Sequence, residues 1–293
     1  MGLEKAAMVL GETSTGPGMK SLMWDMGLPA YKIWAEMQWL LLLLCCAFFG
    51  VADLRAEGVS PAGKVPPLGS VLSLDSDFVR NVLKRDEVQG HVLDRYEYRQ
   101  QVLAQDIDGD GKVSGSSGID MIVHPGNQEK FTIVGDEKGP LRPEQVTEAQ
   151  HKEARTSEKI KSVFSLKRIA PRFELRLVGE EVCDGKAAWL VAFTSREGQP
   201  YANRLEKILN NLSGRLWVAK DDYSIVRTEA TLARPVAMAW LFATMNSVSV
   251  SYRTVPLEQG RGPVSFEIDY RAGVLWGELH QRHYISMSGY RVL

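Results

Sequence analysis

Residues 173–198, FELRLVGEEVCDGKAAWLVAFTSREG, and residues 212–232, LSGRLWVAKDDYSIVRTEATL, decide the fold. Together they hold four runs of alternating or fully apolar residues separated by turn signals, the pattern of consecutive antiparallel strands with one covered and one wet face. Asp184-Gly185 lies between the first two runs and supplies the positive φ values that a tight hairpin needs. Asp221-Asp222 does the same, less decisively, between the third and fourth. In the fourth run Arg227 and Glu229 share one face, while Val226, Thr228, Ala230 and Leu232 share the other. The apolar face requires a cover, and the nature of that cover decides the function.

Toward the C-terminus the strand rhythm continues. Val248, Val250 and Tyr252 alternate with serines, and Val264, Phe266, Ile268 and Tyr270 alternate with Ser265, Glu267, Asp269 and Arg271. Residues 276–290 extend the pattern more loosely, with His280 and His283 among them. Toward the N-terminus, residues 96–123 read as a long hairpin and residues 131–134 as a further short strand. Three segments break the rhythm. Phe78, Val79, Val82 and Leu83 recur at helical spacing behind Ser73 or Asp75 as a cap. Residues 144–161 are rich in Glu, Gln, Lys and Ala behind Pro143, which favours a helix. Residues 200–212 form a short amphipathic segment with Leu205, Ile208, Leu209 and Leu212 on one side. A short helix such as the first is marginal in water and needs an apolar surface to lie on. The strand spacing, without any long-period repeat, points to one large curved sheet rather than two domains.

Residues 37–51, MQWLLLLLCCAFFGV, form an apolar run shorter than the ~20 residues of a straight bilayer-spanning helix, and small residues follow it. Residues 1–56 therefore read as a secretory signal peptide, processed after Ala52 or Ala56, with an uncleaved N-terminal membrane segment as the alternative. The region ahead of the run is long and acidic for such a signal, and Met19-Lys20 is a more natural start. Residues 57–72, with Pro61, Pro66 and Pro67, read as a linker, and residues 73–293 as the folded, periplasmic domain. An apolar fraction of 44% suits a chain with a substantial core. The formal net charge of -1, with no basic run, argues against a nucleic-acid partner. Cys45 and Cys46 fall in the apolar run, which leaves Cys183 with neither a disulfide partner nor a thiolate zinc site.

Catalytic and metal chemistry find little support. Asp106, Asp108, Asp110 and Gly111 match the first half of a calcium loop, but Ser117 stands where a bidentate Glu is needed and both flanks are strand-like. A polar hairpin tip is the favoured reading. His280-x-x-His283 lacks the glutamate and the helical spacing of a zinc protease site, and strand positions three apart face opposite sides. Gly115-Ser116-Ser117-Gly118 is too short for a nucleophile elbow. No catalytic residue, metal ligand or cofactor is assigned.

The run from Gly179 through Gly185 to Ala188-Trp189-Leu190, and the run GRLWVAKDDY at 214–223, follow a helix, a long hairpin and a charged segment opened by Leu141-Arg142-Pro143-Glu144. Over roughly residues 73–293 this order resembles the LolA-like group of outer-membrane lipoprotein-sorting proteins. The resemblance implies an α+β fold of mostly antiparallel strands: a single strongly curved sheet, an unclosed β-barrel, with helices lidding a concave face that accepts acyl chains. It implies an exported envelope carrier of lipoproteins or other acyl-bearing cargo, whose partners are lipid or lipoprotein acyl chains. A non-transporting envelope sensor or interaction module of the same fold is the alternative. On that reading Trp189, Val191, Phe193, Val250, Tyr252, Phe266 and Ile268 face the cavity. Trp240, Leu241 and Phe242, in an almost uncharged stretch, form a lip for a membrane or envelope-protein partner. Each methylene taken from water contributes about 0.8 kcal/mol, so such a carrier needs no catalysis.

Overall fold

The structure, a computed structural model, describes residues 65–124, 131–136, 166–239, 243–258, 260–274 and 277–293. The expected signal segment, the helix expected at 144–161 and the expected lip Trp240, Leu241 and Phe242 lie outside the described residues.

Among the described residues twelve strands make one antiparallel sheet. They are β1 (Val71–Leu72), β2 (Tyr96–Ile107), β3 (Val113–Val123), β4 (Phe131–Asp136), β5 (Phe173–Cys183) and β6 (Lys186–Ser195), then β7 (Leu212–Ala219), β8 (Ile225–Leu232), β9 (Val236–Ala239), β10 (Ala243–Leu257), β11 (Gly260–Val274) and β12 (Gly277–Val292). Among the described residues three α-helices accompany them: α1 (Asp77–Val92), α2 (Leu166–Ile169) and α3 (Arg204–Leu209). The strand order is β1-β5-β6-β7-β8-β10-β11-β12-β2-β3-β4, with β9 paired to β10 beside the main path. The path ends at β1 and β4 without closing, so the curved, unclosed sheet that the resemblance implies is the one observed. Val71 and Leu72, at the end of the expected linker, pair with Arg176 and Leu175 and extend the sheet.

Register shifts interrupt the pairing at Leu177/Gly179, Trp217/Val218 and Arg253/Thr254, and such irregularities bend a strand locally. The shift at Trp217/Val218 also corrects one expectation. Val226 does not share a face with Thr228. It is buried with Cys183, Ala188, Trp217 and Ala219 in a small cluster of its own, while Ile225 joins the main core. A one-residue slip moves every following side chain to the other face, which strict alternation cannot anticipate.

The inward residues line up in rows across the strands. One row runs Val191, Leu216, Thr228, Tyr252, Phe266, Ile285 and Val102. The next runs Phe193, Gly214, Ala230, Val250, Ile268, His283 and Ala104. Gly214 is demanded by close approach: a Cβ there would sit 2.0 Å from the Glu229 carbonyl oxygen and 2.6 Å from the Phe193 ring.

The turns follow their sequence. Asp184 and Gly185 take φ values of 49° and 77°, as a tight β5–β6 hairpin requires. In the β7–β8 turn the left-handed residue is instead Tyr223, at φ 61°. Asp222 Oδ1 accepts from the Ser224 amide at 3.0 Å and from its hydroxyl at 2.5 Å, which fixes that turn. Ser76, rather than Ser73 or Asp75, caps α1, its Oγ accepting from the Val79 amide at 3.4 Å. The calcium-like loop is a turn in which Asp108 Oδ1 accepts from the amides of Asp110, at 3.0 Å, and Lys112, at 2.9 Å.

Candidate functional site

Helix α1 buries Phe78, Val79 and Val82 against the concave face. Its packing is incomplete. A cavity of about 80 Å³ remains between α1, α2 and strands β5–β8. Phe78, Val79, Val82 and Leu83 form its roof, and Val191, Phe193, Leu216 and Ala230 are among the residues of its floor. Leu72 of β1 closes one side and Leu209 of α3 another. The lining is carbon throughout, save for Thr228, whose hydroxyl is buried and has no hydrogen-bond partner among the described residues.

Of the seven residues expected to face a cavity, Val191 and Phe193 line this one. Trp189 supports the roof: Phe78 meets it edge-on at 5.2 Å and meets Tyr223 at 5.9 Å, while Trp189 and Tyr223 lie 5.1 Å apart. This aromatic seat explains why Tyr223 tolerates a left-handed backbone, since packing holds a conformation that would otherwise cost about 1–3 kcal/mol. Val250, Tyr252, Phe266 and Ile268 are buried further round the same face and belong to the same core. Sequence reasoning identified α1 as a covering helix but named none of its residues as cavity lining, because spacing marks an apolar helix face without showing how well it fits.

Polar contacts fasten α1 at its rim. Arg85 pairs with Asp222 at 2.7 Å and Glu87 with Lys167 at 3.1 Å. Asp86 accepts from the Leu166 backbone amide, yet burial pushes its carboxyl up to about 6. Ion pairs at a wet rim contribute little, about 0–1 kcal/mol each. The roof is therefore held mainly by its apolar face, and the fastenings set its position.

Beyond β10 the inward face carries a polar cluster beside its apolar rows. Tyr270 donates its hydroxyl to Gln281 Oε1, and Gln281 Nε2 donates to Asp106 Oδ1 at 2.5 Å. His283 stacks on Tyr270 at 5.8 Å, with both ring nitrogens buried and unpartnered among the described residues. Burial pushes its imidazole down to about 4, which keeps it neutral near pH 7. His280 lies on the opposite side of the strand and bonds Asp269 at 2.9 Å. The two histidines thus face apart, as their spacing predicts. Among the described residues no cluster of His, Cys, Asp or Glu is arranged to hold a metal ion, and no helix is long and apolar enough to cross a membrane.

No protein-family model and no curated protein sequence matches this chain. Among solved structures it is similar to a DUF1329 family protein from Desulfovibrio piger, at 12% identity over 73% of this chain and 90% of that one, with a TM-score of 0.32. It is also similar to a LolA superfamily protein from Nitrosomonas europaea, at 10% identity over 73% and 93% of the two chains, with a TM-score of 0.29. A third similar structure is the Pseudomonas aeruginosa MucA/MucB complex, at 9% identity over 74% and 98%, with a TM-score of 0.22. None of the three decides what this chain binds.

Proposed function

We propose that the chain is an exported envelope protein that binds acyl chains beneath α1, as a carrier of lipoproteins or other acyl-bearing cargo. The observation that carries this reading is the carbon-lined cavity between a short amphipathic helix and the concave sheet. At about 80 Å³ it is roughly half the size of the ~150 Å³ engineered cavity that admits benzene. A long acyl chain enters only if α1 lifts. Replacing the apolar contacts of α1 with those of a lipid tail would offset that movement, since each buried methylene contributes about 0.8 kcal/mol. Release would follow when α1 closes again or a stronger acceptor takes the tail. No catalytic step is assigned.

Native mass spectrometry of the full chain, purified without detergent from cells that make it, tests this reading. Co-purifying acyl-bearing lipid is the expected result, and an unliganded mass that stays unliganded after incubation with fatty acid would contradict it. A second reading, an envelope sensor or interaction module, draws on a different observation: Trp189, Tyr252, Phe266 and Ile268 are packed into a filled core rather than arranged around a void. On that reading lipid is not retained, and the exposed surface carries the function.

A further inference from the structure

Where α1 ends, it packs on the β10–β11 hairpin. A Cβ placed on Gly260 would lie 3.0 Å from the Val92 side chain and 3.7 Å from Arg85 Nη2. The next residue, Arg261, is only 4% exposed. Its hydrogen bonds go to neutral groups: Nε donates to Thr254 Oγ1 at 2.8 Å and Nη2 to the Thr254 carbonyl at 3.1 Å. No described carboxylate pairs with it. Burial pulls the guanidinium below its ordinary value, while Asp222, Asp221 and Asp184 act on it from a distance. Each of those three already holds a cation of its own: Asp222 pairs with Arg85 at 2.7 Å, Asp221 with Lys186 at 2.5 Å and Asp184 with Arg253 at 2.8 Å. The printed hydrogen bonds of Arg261 thus go to neutral groups alone, and holding a buried charge in that way is costly. Arg85 brings an unmet donor to the same corner, since its Nε is buried without a partner among the described residues.

Neither arginine lines the cavity, but two connections lead from the corner to it. Arg85 follows the roof residues Val82 and Leu83 on α1. Tyr252, which feels the Arg261 charge, is the cross-strand neighbour of the cavity residue Thr228. We propose that Arg261, with Arg85, is a headgroup subsite that binds the single anionic group of an amphiphile whose tail lies under α1. The ligand class is an acyl chain ending in a carboxylate or phosphate. This rests on the acyl-binding reading above and adds the charge that the cargo must carry. Arg261 belongs to the sheet and Arg85 to the helix, so the bound anion ties the roof to the wall.

Displacement of a bound fluorescent fatty acid from the full chain by decanoate, decyl phosphate or 1-decanol tests the subsite. The wild-type protein is expected to prefer the two anions over the alcohol by at least about tenfold, the contribution of one hydrogen bond to a charged group. Arg261→Gln removes that preference while the affinity for 1-decanol stays within about twofold. Arg261→Lys, which keeps the charge, retains part of it, and a melting curve establishes that each variant is folded. An anion preference unchanged in folded Arg261→Gln, or absent from the wild type, overturns the subsite and leaves acyl binding intact. If none of the three probes competes, the acyl-binding reading fails and the subsite with it. The ratio of decyl phosphate to decanoate then distinguishes a phosphate-bearing from a carboxylate-bearing source.

Discussion

Two halves of one concave face differ in what they do with the same strand alternation. Beneath α1, strands β5–β8 turn in Val191, Phe193, Leu216 and Ala230, and a cavity is left over. Further round, β11, β12 and β2 turn in Phe266, Ile268 and Ile285 together with the polar cluster of Tyr270, Gln281, Asp106 and His283, and no residue of these strands lines that cavity. The first half is closed by a helix whose apolar ridge fits the sheet imperfectly, which suits a site that opens. The second is knitted by side-chain hydrogen bonds that require fixed geometry, which suits a wall that stays in place. Alternation marks which residues face inward, whereas the cover and its fit decide whether a face is hollow or filled.

The contrast is most severely broken at Gly214, in the apolar half. Gly214→Val forces β7 away from Glu229 and Phe193, and is expected to cost roughly 3 kcal/mol or more in urea denaturation, or to prevent folding. Next in size, Phe78→Ala takes the ring of α1 from its seat on Trp189 and Tyr223, with an expected loss of about 3 kcal/mol. Amide hydrogen exchange across α1 should quicken in this variant while exchange in β12 does not change.

The polar half is expected to answer to pH. His283 has an ordinary value of 6.5 and is pushed down to about 4 in the fold, so the unfolded chain binds its proton more readily. Its contribution is fully present above about pH 6.5 and is lost as pH falls toward 4, about 3 kcal/mol in all. Asp86 runs the other way: raised from 3.8 to about 6, it favours the folded state at low pH and loses that contribution as pH rises through 6. Denaturation of His283→Phe should therefore lose the His283 slope and keep that of Asp86 between about pH 5 and 7, with stability falling as pH rises. Smaller still, Tyr270→Phe leaves Gln281 Oε1 without its donor and should cost about 1 kcal/mol by denaturation, without changing exchange in α1.

Much of the fold is legible in the sequence because its signals are local. Asp184-Gly185 marks its turn, Phe266 to Tyr270 alternate without interruption, and Phe78 to Leu83 keep helical spacing. What is not legible depends on register and on distant partners. The shift beside Trp217 sends Val226 to the convex side, and Tyr223 rather than an Asp or Gly takes the positive φ of its turn. The site is less legible than the fold for the same reason. Val191 and Phe193 can be named as inward-facing from strand alternation, but Leu72 enters the cavity from a segment that reads as linker. Arg261 carries no local mark at all, since its significance lies in three carboxylates paired elsewhere.

Decanoate titrated against Val191→Phe probes the seat under α1 most directly, because the larger ring occupies the space between Leu216 and the roof. The result predicted is a folded protein whose affinity falls by at least about tenfold, the consequence of losing room for two or more methylenes. Undiminished affinity in that variant would place the acyl chain elsewhere and contradict the account.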